Sequence, residues 1–204
     1  MTGAGPQLTP WGPVQAEAPR DGTPGRVLDA AYELFSAQGI RATTMSQLAE
    51  RAGISRVWLY RYFDNRDAVV RALLGREAHR FLEGLAPLID PGRPVEDTVT
   101  AMFVHAVTTL RGHELLAKMV RQEPEVVGEF VVAGIGPLMG VAIEGASSLL
   151  ELAGVRHPGA VAETLVRLVV FAVLNNQTTV DYDDPEQLGP YATAVVGALV
   201  GPRA

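Results

Sequence analysis

Residues 24 to 70 read PGRVLDAAYELFSAQGIRATTMSQLAERAGISRVWLYRYFDNRDAVV, and this stretch decides the fold. Val27, Leu28, Ala31, Leu34 and Phe35 recur at helical spacing, and Gly39 closes the segment. Thr23 is placed to cap this first helix, with Pro24 at its first position. Thr44-Met45-Ser46-Gln47 has the form of a capping box and opens a second, short helix. Gly53 breaks that helix, and Ser55 caps a third over residues 56 to 63. Asp64 or Asn65 caps a fourth, which continues through Val69, Leu73, Leu74, Ala78 and Phe81 towards Leu85. Ala49 is small enough to let two short helices cross closely. Gly53, four residues later, accepts the backbone angle that the turn between them needs.

Leu48, Ile54 and Leu59 are spaced to wedge both short helices onto the first, which leaves Ser55, Arg56, Val57, Trp58, Arg61 and Tyr62 facing outward. A helix of this size fits the major groove of B-DNA, with its N-terminal residues nearest the base edges. Arg56 suits a bidentate contact to guanine, Val57 a thymine methyl, and Trp58 a methyl or a sugar. Thr44, Tyr60, Tyr62 and Arg66 are better placed for phosphates, which position a protein without reading sequence. Helix N-termini at Thr44 and Asn65 add backbone donors for the same oxygens.

The stretch resembles the TetR family of transcriptional regulators. The resemblance rests on Arg26-Val27-Leu28, Ala30-Ala31, Leu34-Phe35, Gly39, Thr43-Thr44, Leu48-Ala49, Ala52-Gly53-Ile54-Ser55 and Leu59-Tyr60-Arg61-Tyr62-Phe63. Arg66 stands where the family usually has a lysine, and Trp58 where it more often has a small hydroxylic residue. The resemblance implies that Tyr60, Tyr62 and Arg66 hold phosphates while Arg56, Val57 and Trp58 meet bases. It implies an all-α chain, with an N-terminal three-helix helix-turn-helix DNA-binding domain followed by a larger helical ligand-binding and dimerisation domain. The expected divisions are a flexible arm at 1–22, the DNA-binding domain at 23–70 and the effector and dimerisation domain at 71–204. The implied partners are a double-stranded DNA operator, a second copy of the chain joined through the last two long helices, and a small-molecule effector. A cavity for that effector would be lined by Met102, Phe103, His105, Met119, Phe130, Met139 and Phe171, with Thr109 or Asn175 as polar anchors.

Composition agrees with this division. The net charge of −6 looks unfavourable to nucleic acid, but residues 20–80 hold 10 arginines against 7 acids, and the chain from 81 onward holds 7 basic residues against 15 acids. A polyanion is therefore attracted to the N-terminal third and repelled by the remainder. With 48% hydrophobic residues the chain can bury a sizeable core, and the absence of cysteine excludes disulfides and thiolate chemistry. The first 19 residues have neither a basic start nor an apolar core, so no signal peptide is expected. The apolar run 130–143 is too short to span a bilayer, and a soluble, cytoplasmic protein is expected.

Beyond Pro87 the pattern predicts helices over 95–110, 113–122, 125–152, 160–179 and 186–200. The third of these should kink or break at Gly134, Gly136 and Pro137. Residues 168–180 and 187–200 contain no charge, so helices there must be covered on two sides, by their own domain and by a partner. The acidic run Asp181, Asp183, Asp184 and Glu186 lacks the glycine and distal glutamate of a calcium loop and reads as a helix cap. The histidines at 79, 105, 113 and 157 have no metal-ligand spacing, and no phosphate loop, nucleophile elbow or dinucleotide fingerprint is present. No cofactor and no enzymatic activity are expected. The sequence thus points to a ligand-responsive repressor on a palindromic operator. The alternative is a helical small-molecule-binding protein of the same fold without sequence-specific DNA binding.

Overall fold

The computed structural model describes residues 22–125, 135–175 and 179–200. Among the described residues the regular elements are all helical: α1 (Thr23–Gln38), α2 (Met45–Arg51), α3 (Arg56–Tyr60), α4 (Arg66–Leu85), a 3-10 turn at Ala86–Leu88, α5 (Val95–Arg111), α6 (Glu114–Gln122), α7 (Ile135–Leu152), α8 (Pro158–Leu174) and α9 (Pro185–Val200). The chain divides into two compact units, Met1–Ala78 with Gln122–Leu138, and His79–Arg121 with Met139–Ala204. The division therefore falls inside α4 and returns a short segment after α6 to the N-terminal unit.

In the first unit Val27, Leu28, Ala31 and Phe35 of α1, Leu48 and Ala49 of α2, Leu59 of α3 and Val69, Val70 and Leu73 of α4 are buried. Gly53 has φ 66°, as the turn between α2 and α3 requires. The capping box at Thr44 and Gln47 forms, and the Ser55 hydroxyl accepts from the Trp58 amide at 3.2 Å. Asn65, not Asp64, caps α4, its Oδ1 accepting from the Ala68 amide at 2.8 Å.

Two expectations change here. Thr23 is the first helical residue and not the cap: Gly22, at φ 87°, takes the cap position without a side-chain bond, and its carbonyl accepts from Arg26. The third helix closes at Tyr60, because the Leu59 carbonyl takes the amides of both Tyr62 and Phe63 at 3.0 Å and ends the ladder. Behind the helix-turn-helix, the buried guanidinium of Arg76 is satisfied by Asp29 at 2.7 Å and Glu77 at 3.0 Å, which fastens α4 to the start of α1.

In the second unit the core joins Val99, Phe103, Ala106 and Val107 of α5 to Val161, Leu165, Val169 and Ala172 of α8 and to Leu188, Ala192 and Val196 of α9. The four-residue spacing of the α9 set buries one stripe of that helix and leaves Thr193, Ala194 and Ala198 exposed. α8 ends at Leu174, short of the expected Thr179, because Asn175 is extended (φ −121°, ψ 120°). The helix expected over 125–152 is described from Ile135 onward, and residues 126–134, with the expected break at Gly134, lie outside the described residues.

The acidic run behaves as a cap. Asp184 Oδ1 accepts from the Glu186 amide at 2.9 Å, and its Oδ2 accepts from Gln187 Nε2 at 2.9 Å. Among the described residues no group of three or more potential metal ligands is gathered, and no helix is long and apolar enough to cross a membrane.

Candidate nucleic-acid interface

α3 is amphipathic in an inverted sense. Leu59 is fully buried beneath it, while Val57 is 77% exposed, Trp58 48%, Tyr60 45% and Tyr62 44%. Large apolar surface of this kind costs about 25 cal/mol per Å² to leave in water, so its concentration on one short helix and the turn that follows it marks a contact surface. The face is also ordered in itself. The Trp58 and Tyr62 rings stack with centroids 6.1 Å apart and planes 19° apart, and the Arg61 guanidinium lies 4.6 Å over the indole. Arg56 makes no hydrogen bond or ion pair to a described residue and projects from the first turn of α3. Ser55 accepts the Trp58 amide, so its hydroxyl hydrogen points elsewhere.

The residues expected at phosphates occupy three different settings. Tyr60 and Tyr62 are exposed at the end of α3. Thr44 sends both its amide (2.8 Å) and its hydroxyl (3.0 Å) to Gln47 Oε1, so its side chain serves the cap, and α2 offers backbone donors there instead. Arg66 turns inward: its Nη1 donates to the carbonyl of Arg41 at 2.9 Å and reaches that of Thr43 at 3.5 Å. The segment Gly39–Thr43, which leads into α2, is thereby held by Arg66.

The same segment is also held by a residue that the sequence pattern does not single out. Glu123, the residue after α6, accepts the Ile40 amide on Oε2 and the Arg41 amide on Oε1, both at 2.8 Å. Gly39, at φ 89°, permits this approach, since a Cβ there would stand 3.2 Å from the carboxylate. Arg41 in turn lies 3.5 Å from Glu125. No local spacing rule connects position 123 to position 40; the only sequence trace is the Glu123-Pro124-Glu125 phrase itself.

The expected effector-cavity residues do not form one set. Met102, Phe103 and Met119 are buried, and the Phe103 ring sits 6.3 Å from Tyr191 within the core between α5 and α9. His105 and Met139 are part-buried, and exposed Thr109 bonds back to His105 at 3.3 Å. Phe171 points away from the core, 55% exposed, along a surface groove of α8 with Ala160, Glu163, Thr164, Arg167 and Leu168. Asn175 follows the last turn of α8, and Phe130 lies outside the described residues.

A capped helix-turn-helix followed by a larger helical unit defines the class of helix-turn-helix regulators. The family described as bacterial regulatory proteins, tetR family, matches residues 27–73. An uncharacterized HTH-type transcriptional regulator of Mycobacterium tuberculosis is 37% identical over 106 residues, covering 52% of this chain and 47% of that protein. The uncharacterized HTH-type transcriptional regulator TtgW of Pseudomonas putida is 33% identical over 93 residues, covering 45% of this chain and 69% of that protein. The crystal structure of the TetR family repressor AlkX from a Dietzia strain superposes with a TM-score of 0.67 at 22% identity, covering 88% of this chain and 95% of that one. The chain belongs to the tetR family of bacterial regulatory proteins. It spans about half the length of the Mycobacterium tuberculosis relative, 47%.

Proposed function

We propose that this protein is a transcriptional regulator that binds a palindromic operator as a homodimer and represses until a small, mostly apolar effector releases it. The observation that carries the reading is the exposed face of α3 and the turn after it, where Val57, Trp58, Tyr60 and Tyr62 stand in water beside Arg56 and Arg61. Arg56, Val57 and Trp58 are the base-facing side chains in this reading. Ser55, Tyr60, Arg61 and Tyr62 flank them at sugars and phosphates, with the α2 N-terminus at Thr44. Arg66 acts from behind, by holding the segment that leads into α2.

Two copies related by a two-fold axis would set two α3 helices into successive major grooves, about 34–36 Å apart or somewhat more. The exposed α8 groove with Phe171 and the absence of charged residues from 168–175 and 187–200 support a joint between copies there. Repression needs occupancy of the operator alone, whereas activation needs a further surface that touches the transcription machinery. Buried Met102, Phe103 and Met119 supply the apolar character expected of an effector site in the second unit.

Selection of bound duplexes from a random pool at near-physiological salt tests the reading. Enrichment of an inverted repeat is expected. Binding with no sequence preference, or none by ligand-free protein, would instead favour a helical small-molecule-binding protein that kept only the fold.

A further inference from the structure

The geometry points to Glu123 as a positioning residue for DNA binding, and this inference rests on the regulator reading above. Its carboxylate accepts two consecutive amides, Ile40 and Arg41, each at 2.8 Å, in a fork across the segment that feeds the first helix of the helix-turn-helix. Charge-assisted bonds to backbone amides are about twice as strong as neutral ones, and a two-point grip fixes orientation as well as distance. In addition Arg66 holds the Arg41 carbonyl at 2.9 Å, and the Thr43 hydroxyl closes onto Gly39 O at 2.7 Å. Within the segment 39–43 the Ile40 and Arg41 amides are therefore pinned by Glu123, and the Gly39 and Arg41 carbonyls by Thr43 and Arg66.

What this segment sets is the entry angle of α2. Thr44, the next residue, is the cap whose box with Gln47 fixes the direction of the α2 amides. α2 in turn carries Leu48 and Ala49, the buried contacts on which α3 is seated. A tilt of the segment is transmitted through rigid, capped helices to Arg56, Val57 and Trp58. Glu123 touches neither base nor phosphate in this account; it acts through Ile40 and Arg41. It directly follows α6, which ends at Gln122. The helix-turn-helix is thus held in reading geometry by a side chain delivered from outside its own sequence, 83 positions along the chain from Ile40.

The sign of the charge effect makes the inference testable. Removing an acidic group near a DNA-binding surface should by itself strengthen binding, because it removes repulsion of phosphates. Loss of the fork should weaken it. The test uses the full chain and the duplex that it enriches from a random pool.

Glu123→Ala is expected to weaken binding to that duplex by about tenfold or more, with Glu123→Gln, which keeps one acceptor oxygen, in between. The slope of log Kd against log salt should stay unchanged, since no phosphate contact is lost. Glu125→Gln removes an equivalent charge without the fork, and its affinity should stay level or rise. Val196→Ala, which destabilises the core of the second unit, should leave affinity unchanged below the melting transition. Hydrogen exchange over residues 36–45, without DNA, should show the Ile40 and Arg41 amides deprotected in Glu123→Ala.

Unchanged exchange at those two amides, or affinity equal to or tighter than that of the unaltered chain, overturns the inference. If the unaltered chain enriches no duplex, the regulator reading fails first and takes this positioning role with it, and the exchange result then describes only a structural clamp.

Discussion

The Arg111 guanidinium meets the Asp183 carboxylate in a two-point pairing, Nε to Oδ1 at 2.7 Å and Nη2 to Oδ2 at 2.6 Å, while its Nη1 donates to the Ala172 carbonyl at 2.7 Å. One side chain at the end of α5 thus closes the last turn of α8 and fixes the loop that leads into α9. The same guanidinium lies 5.9 Å from the centre of the Tyr182 ring, which is tilted edge-on to Tyr191 with ring centroids 5.6 Å apart. The pairing draws the Asp183 carboxyl below its ordinary value through the Arg111 hydrogen bond, and it raises the Arg111 guanidinium further above its own.

Because the Asp183 value is depressed in the folded chain, its contribution to stability is present above the unfolded carboxyl value and is lost as pH falls through the folded one. Melting temperature measured from neutral pH downward should therefore decline more steeply in the unaltered chain than in Asp183→Asn. Asp183 is 67% exposed, so the difference at pH 7 should be no more than about 1 kcal/mol. Arg111→Ala should cost more, about 1–3 kcal/mol, because the Ala172 carbonyl also loses its donor. Equal melting temperatures at pH 7 for Arg111→Ala and the unaltered chain would show the clasp to be idle.

Tyr182 gives the matching test on the alkaline side. Desolvation, followed by its hydrogen bond with Tyr191, pushes its hydroxyl up to about 12. A value raised in the folded state stabilises fully below the unfolded tyrosine value of 10.0 and is lost as pH rises from there through about 12. Absorbance titration of phenolate should show one late tyrosine, and Tyr182→Phe should remove that late step. Loss of one tyrosine from the ordinary step near 10, with no late step in the unaltered chain, would place Tyr182 in water.

Gly53 makes the turn of the helix-turn-helix at φ 66°, and a Cβ there would meet nothing within 4 Å. Any penalty for Gly53→Ala is therefore conformational and not steric, about 1–2 kcal/mol. Gly53→Asn, which tolerates the left-handed region, should recover much of it. Denaturant midpoints of the two variants separate these effects, and equal midpoints for Ala and Asn would show that the backbone angle is not what the glycine supplies.

Much of the first unit was legible because its determinants are local. Thr44 with Gln47, Ser55 with Trp58 and Asn65 with Ala68 are contacts within one helical turn, and the sequence displays them directly. The exposure of Val57 and Trp58 followed from the same periodicity that buries Leu59. Contacts across the chain left no such trace. Glu123 reaches Ile40 over 83 positions, and Arg66 donates to the carbonyls of Arg41 and Thr43, 25 and 23 positions away. Tyr182 sits in the acidic run that reads as a helix cap, a pattern that says nothing of its ring, yet it is buried. Phe171 shows the converse: an uncharged helix demands cover, but periodicity alone does not say which of its apolar residues face their own core.

Arg56 and Arg66 should separate cleanly under mutation. Arg56 has no partner among the described residues, so Arg56→Ala should remove a base contact, weaken binding by about 1–3 kcal/mol and relax preference at one position of each half-site. Arg66 is braced on two carbonyls behind α2, so Arg66→Ala should lower affinity on all duplexes alike and also lower the melting temperature. Repeating the random-pool selection with each variant reads both effects. An unchanged preferred sequence with Arg56→Ala would move the base-reading role elsewhere on α3.

The dimer reading turns on Phe171. It is 55% exposed on α8, flanked by Leu168 and by the Arg167–Glu163 ion pair at 2.8 Å, an apolar centre with a charged rim. Interfaces between copies have this form, and a charge buried at their centre without a partner is costly. Phe171→Glu should therefore yield a monomer by sedimentation while the helical content stays unchanged, since nothing in the core of its own chain packs on that ring's outer face. A monomer presents one reading helix instead of two tethered ones, and the second contact loses its effective concentration, so affinity for an inverted repeat should fall by about a hundredfold or more. Affinity for a single half-site should stay level. A Phe171→Glu protein that remains dimeric with full affinity would place the joint between copies on another face.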